Sequence, residues 1–238
     1  MSEEEDSDYI EPYIEVKVVL LGESGVGKSS IIKQYATNTF DQDIESSIST
    51  KYFSKEIKLK ESPKNIKFNL WDTAGQERYR SLAKIFYKDA NIIILVYSII
   101  NQKSFKELQN FWYKEVKENC GSDVIYAVVG NKTDLYSETK VNENEVKEWA
   151  NSFEAIFQLT SAKDNSGIDL LFENIGKKLL DPKYNYLKED EDSKIEYNNK
   201  KNNKKNNDTE SDDNDKVIVP EIKTISNKDK SNERKKCC

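Results

Sequence analysis

The chain has 238 residues, 36% of them hydrophobic, which is enough for one sizeable core with tails. It contains no histidine and only three cysteines, which excludes Ser-His triads, histidine acid–base steps, histidine metal sites and a disulfide framework. The net charge of −6 sits entirely in residues 1–14, which carry six acids and no base; residues 15–180 carry 23 charges of each sign and 181–238 carry 14 of each, so no basic stripe argues for nucleic acid.

Residues 1–14 read as a solvated acidic arm without the basic and apolar regions of a signal peptide. Met1-Ser2 offers no myristoylation glycine and no apolar run approaches a membrane span, so the body is expected in the cytosol. From Glu15 onward, apolar and polar segments alternate in the manner of a βα protein. The pattern predicts a strand over 16–21, a helix over 28–36 and a polar stretch over 38–50. Two period-2 segments, 52–59 and 66–71, flank Ser62-Pro63-Lys64 and predict an antiparallel hairpin. There follow a helix over 81–88, a strand over 92–96, a helix over 104–119 and a strand over 124–129. A helix over 143–152, a short strand over 155–159 and an amphipathic helix over 168–180 complete the body. The continuous apolar runs fit strands buried on both faces, hence a mostly parallel sheet with helices on each side and ligand loops at the strands' carboxyl ends. Beyond Pro182 the sequence turns to Lys, Asn, Asp, Glu and Ser, too poor in apolar residues to offset ordering, so a disordered tail is expected.

Between the first strand and the first helix stands Gly22-Glu23-Ser24-Gly25-Val26-Gly27-Lys28-Ser29-Ser30. This is G-x-x-x-x-G-K-S: backbone N–H groups curl round an anion, the lysine reaches the outer phosphates and the Ser29 hydroxyl faces Mg²⁺. The helix that follows points its positive end at the same place. At the end of the third strand, Trp71-Asp72-Thr73-Ala74-Gly75-Gln76-Glu77 supplies Asp72 for Mg²⁺, a Gly75 N–H for a γ-phosphate and Gln76 to orient an attacking water. Two later strands end in Gly130-Asn131-Lys132-Thr133-Asp134 and Thr160-Ser161-Ala162-Lys163. A carboxylate at Asp134 accepts from both N1–H and the exocyclic amino group of guanine, a donor pair that adenine lacks. Lys132 and Lys163 can lay their stems over the ring faces, and Asn131 can tie the loops together.

On these four motifs, residues 15–180 resemble the Ras-like small GTPases and, within them, the Rab branch. GESGVGKSS, WDTAGQERYRSL, GNKTD and TSAK carry the resemblance, together with the terminal Cys237-Cys238. It implies a P-loop NTPase sandwich with six strands and about five helices, GTP and GDP as ligands, Mg²⁺ as cofactor and two switch loops. It also implies that Phe40 packs against guanine, that Lys28 and Ser29 bind phosphate and metal, and that Lys28 and Gln76 serve catalysis. Tyr52, Trp71 and Phe86 would form an aromatic patch read by effectors. The remaining partners implied are an exchange factor, a GTPase-activating protein, a GDP-dissociation inhibitor or escort protein, and a membrane reached through geranylgeranylated Cys237 and Cys238.

Where the family's first switch presents a threonine to Mg²⁺ and the γ-phosphate, this chain has Ser47, and Ser49 replaces a usual glycine. Serine keeps the hydroxyl but loses the methyl that restricts its rotamer, so the GTP-bound switch is expected to close incompletely. Ser98 replaces a common aspartate after the fourth strand. The cradle and first switch hold no arginine, so hydrolysis is expected to be slow, on the order of 10⁻⁴ per second, with a partner supplying the missing charge. Lys228, Lys230, Arg234, Lys235 and Lys236 precede the terminal cysteines and favour anionic lipid, and two lipid chains anchor where one is marginal. The patch Val217-Ile218-Val219-Pro220-Glu221-Ile222 is a candidate docking motif for the escort protein, and Arg78 to Ala83 resembles the early-endosomal subgroup. A GTP-binding scaffold with negligible turnover is the alternative function, and a P-loop ATPase or nucleotide kinase a more distant one.

Overall fold

The strand β4, Ile92–Ser98, is buried at all seven positions, at the centre of the described sheet. The computed structural model describes residues 13–40, 51–60, 62–72 and 83–185. Its sheet also contains β1 (Tyr13–Leu21), β2 (Lys51–Lys58), β3 (Asn65–Asp72), β5 (Ile125–Asn131) and β6 (Ile156–Thr160). Their order is β2-β3-β1-β4-β5-β6, with every neighbouring pair parallel except the β2–β3 hairpin. That hairpin register sets Lys51 opposite Asp72 at one end and Lys58 opposite Asn65 at the other.

The helices are α1 (Lys28–Thr37), α2 (Ala83–Tyr87), α3 (Gln102–Glu107), α4 (Tyr113–Asn119), α5 (Glu143–Asn151) and α6 (Ile168–Leu180). A π-helical turn, Leu108–Trp112, joins α3 and α4 into one rod, and a 3₁₀ segment spans Thr133–Glu138. The described residues thus hold six strands and five helical rods, as the resemblance implies.

Strand alternation divides the core between two faces. Val18, Leu20, Ile94 and Val96 pack with Ile31 and Ile32 of α1 and Leu171, Phe172 and Ile175 of α6. Val19, Leu21, Ile93 and Leu95 pack on the opposite side with Phe105, Leu108, Trp112 and Val116 of the α3–α4 rod and Val146 and Ala150 of α5. Strands buried on both faces need apolar residues at both parities, and the sequence Ile-Ile-Ile-Leu-Val in β4 supplies them.

Several boundaries differ from expectation. β1 begins at Tyr13, because Asn65 and Ile66 of β3 offer ladder partners to Tyr13 and Ile14; these two residues belong to the sheet rather than to the acidic arm. The rod starts at Gln102 instead of Ser104, because the Asn101 side chain accepts from the Ser104 N–H and caps the first turn. After α6 the chain turns back, and the Tyr184 hydroxyl donates to Asn174 Oδ1 at 3.0 Å, so the body extends past Leu180. The acidic stretch Glu3 to Glu11, the tail from Tyr186 and its patch Val217 to Ile222 lie outside the described residues.

Candidate functional site

The loop between β1 and α1 is shaped by glycines at positions no other residue could hold. Gly22 has φ 147°, and a β-carbon there would collide with the Val96 carbonyl oxygen of β4; Gly27 has φ 99°, and its β-carbon would collide with the Asn131 amide. Gly27 also occupies the N-cap of α1 in the left-handed region, with no side chain capping the helix, so the first N–H groups face the loop's concavity. Val26 is buried beneath the loop, whereas Ser24 and Gly25 are exposed on its rim.

Lys28 lies along this loop, 6% exposed, and its Nζ donates to Gly22 O at 2.8 Å and Glu23 O at 2.9 Å. The ammonium is therefore parked on carbonyl oxygens at the mouth of the cradle. Next to it Ser29 Oγ donates to Asp72 Oδ1 at 2.9 Å, joining residues 43 positions apart, and Asp72 is 1% exposed at the end of β3. A hydroxyl and a buried carboxylate oxygen at one point form a donor set suited to a hard cation such as Mg²⁺, which keeps its other positions for water and phosphate. Ser30 is half-buried in the first turn of α1. Ser47, Ser49, Gly75 and Gln76 lie outside the described residues.

At the carboxyl ends of β5 and β6 the two remaining motifs meet. Asn131, 2% exposed, donates through Nδ2 to Val26 O at 2.8 Å, while its Oδ1 accepts from Thr160 Oγ1 at 3.2 Å and from the Ala162 N–H at 3.3 Å. One carboxamide therefore links the phosphate loop, β5 and the loop after β6. Asp134 sits in the first turn of the 3₁₀ segment, and its Oδ1 accepts from Ser161 Oγ at 2.8 Å, while Ser161 Oγ accepts from the Asp164 N–H at 3.1 Å. Lys132 enters that turn with φ 74°, a left-handed conformation that swings Asp134 back toward the loop after β6. Lys163 is exposed at the tip of that loop.

Phe40 is 38% exposed at the end of the described stretch after α1. Tyr52 and Trp71 meet edge to face, with centroids 5.6 Å apart and the Tyr52 hydroxyl donating to Asn69 Oδ1 at 2.6 Å. Phe86 is half-buried on α2, and no ring contact joins it to that pair among the described residues. Ser98 Oγ is buried without a hydrogen-bond partner, and nothing in the structure explains the serine there. Residues that the sequence reading did not single out for the site are Thr160, through its bond to Asn131, and Trp112, whose Nε1–H donates to Glu23 Oε1 at 3.4 Å.

The sequence model of the Ras family matches residues 17–181. Human Ras-related protein Rab-22A is 39% identical over 165 residues, covering 69% of this chain and 84% of the relative. Ras-related protein Rab-21 of Geodia cydonium is 39% identical over 168 residues, covering 71% of this chain and 72% of the relative. Ras-related protein RabC of Dictyostelium discoideum is 37% identical over 164 residues, covering 69% and 83%.

Proposed function

Because the chain belongs to the Rab family of the Ras-superfamily small GTPases, we propose that it is a membrane-tethered switch: it binds GDP and GTP with Mg²⁺, hydrolyses GTP slowly and recruits effectors in vesicle traffic. The observation that carries the reading is Asn131, whose amide joins the phosphate loop to the two loops that would recognise a base.

In this reading the phosphate-loop N–H groups and Lys28 hold the β- and γ-phosphates, and Asp134 accepts from the guanine edge while Ser161 keeps its carboxylate oriented. Ser29, Asp72 and Ser47 would hold Mg²⁺, which would supply positive charge to offset that developing on the transferred phosphoryl group. Gln76 orients the water and Gly75 gives its N–H to the γ-phosphate. Cys237 and Cys238 carry two geranylgeranyl chains that anchor the protein at the cytoplasmic face of an intracellular membrane, in the endosomal system, from which an escort protein or GDP-dissociation inhibitor withdraws it to the cytosol. An exchange factor and a GTPase-activating protein set its state, and Tyr52, Trp71 and Phe86 face effectors.

The test has two arms. Protein purified in Mg²⁺ should release guanine nucleotide on denaturation and hydrolyse GTP in single turnover, faster than its Gln76→Leu variant. Equal rates would favour a GTP-binding scaffold, and absence of nucleotide would end the proposal. In cells, a tagged chain should mark membranes and its Cys237→Ser/Cys238→Ser variant should be diffuse.

A further inference from the structure

The rod that follows β4 is α-helical, then π-helical from Leu108 to Trp112, then α-helical again. The Tyr113 N–H donates to Leu108 O, five residues back, so this one turn is widened by an extra residue. Such turns are rare inside α-helices and concentrate at functional positions. Here the widened turn ends on Trp112.

The Trp112 ring is 1% exposed and packs edge to face on Phe111, with centroids 5.1 Å apart. Its Nε1–H crosses to the phosphate loop and donates to Glu23 Oε1 at 3.4 Å, between residues 89 apart in sequence. Glu23 in turn uses its main-chain oxygen, beside that of Gly22, to accept from Lys28 Nζ. A single loop residue thus has its side chain held by the helix and its backbone holding the lysine.

We propose that Trp112 and Glu23 are positioning residues for Lys28. The indole N–H fixes the Glu23 carboxylate, and through it the peptide plane between Glu23 and Ser24, whose carbonyl oxygen sets where the ammonium rests. A phosphate loop pinned from outside has less freedom left to lose when phosphate arrives, so the contact slows nucleotide release. Trp112 acts through Glu23, the phosphate-loop residue to which its indole donates. The inference rests on the nucleotide-binding reading above and adds an element that regulates how long nucleotide stays.

The experiment uses the full chain loaded with a fluorescent GDP and chased with excess unlabelled GDP. Glu23→Ala and Trp112→Phe, which keeps a ring in the core but removes the N–H, should each speed release about three- to tenfold. Glu23→Gln keeps an acceptor oxygen and should stay within about twofold of the parent chain. The double variant Glu23→Ala/Trp112→Phe should release no faster than the quicker single variant, because both act through one contact. The three indole N–H resonances give an independent readout: the one lost in Trp112→Phe should move in Glu23→Ala and return toward its place in Glu23→Gln. Additive effects, a Glu23→Ala release rate equal to the parent's, or a Gln variant no better than Ala would overturn the proposal. If the parent chain takes up no GDP, the nucleotide-binding reading fails; the indole resonance still decides the contact on the unloaded chain, and an unmoved signal in Glu23→Ala overturns it.

Discussion

Ser29 and Asp72 meet through a 2.9 Å hydrogen bond although one opens a helix and the other closes a strand. Their oxygens are brought together by parallel pairing of β1 with β3, which carries Val18 and Val19 alongside Leu70 and Trp71. Magnesium dependence should follow from this pair. Chelation with EDTA should speed GDP release from the parent chain by about tenfold or more. Ser29→Ala in excess Mg²⁺ should already release at the fast rate, with little further response to the chelator. A Ser29→Ala variant as slow as the parent would remove Ser29 from the metal.

Asn131→Ala should be costly for stability as well as for binding. It leaves the Val26 carbonyl, the Ala162 N–H and the Thr160 hydroxyl without the partner they share. With about 1–3 kcal/mol per buried polar group left unsatisfied, and partial relief by water, a loss of roughly 2–4 kcal/mol is expected. Urea unfolding measures it, and a change below about 0.5 kcal/mol would show that the three loops hold without this side chain.

Asp134→Asn should separate base recognition from folding. The amide keeps one acceptor oxygen but loses the charge and the second acceptor, so GDP affinity should fall roughly 10²-fold or more and discrimination against ADP should shrink. Asp134 is only half-buried, so the unfolding midpoint should barely move. Competition binding with GDP and ADP is the measurement; unchanged discrimination would place base recognition elsewhere.

The pH dependence should show on the alkaline side. Burial pushes the Tyr126 phenol up to about 12 from its ordinary 10.0, with the neighbouring Cys120 and Tyr113 groups adding to the rise. The folded chain therefore prefers the neutral phenol, while the unfolded chain ionises first. Stability due to this group is intact below pH 10 and is lost as pH rises toward about 12. Tyr126→Phe has no proton to lose and should decline less over that interval in chemical unfolding followed against pH. Superimposable profiles would show that other groups govern alkaline unfolding.

Much of this architecture is legible in the sequence, because the features that carry it are local. The run Ile92 to Val96 announces a strand covered on both faces, and Gly22, Gly27, Lys28 and Ser29 announce the cradle by spacing alone. The tie made by Asn131 is foreseeable once two polar loops are assigned to neighbouring strand ends. What stays hidden depends on contacts between distant segments or on small shifts of helical phase. One widened turn between Leu108 and Trp112 barely alters the spacing of the buried positions Phe105, Leu108, Trp112 and Val116, so periodicity does not reveal it. Glu23 stands at a variable position of its motif, and only tertiary packing brings Trp112 to it. The early start of β1 is hidden for the same reason, since Tyr13 and Ile14 become strand only through Asn65 and Ile66.

The hairpin register has a mechanical consequence. Lys51 and Asp72 face each other across a single rung, so the start of β2 and the end of β3 form one crossbar of the sheet. Since Asp72 also accepts from Ser29, a shift of that crossbar would be felt at the start of α1.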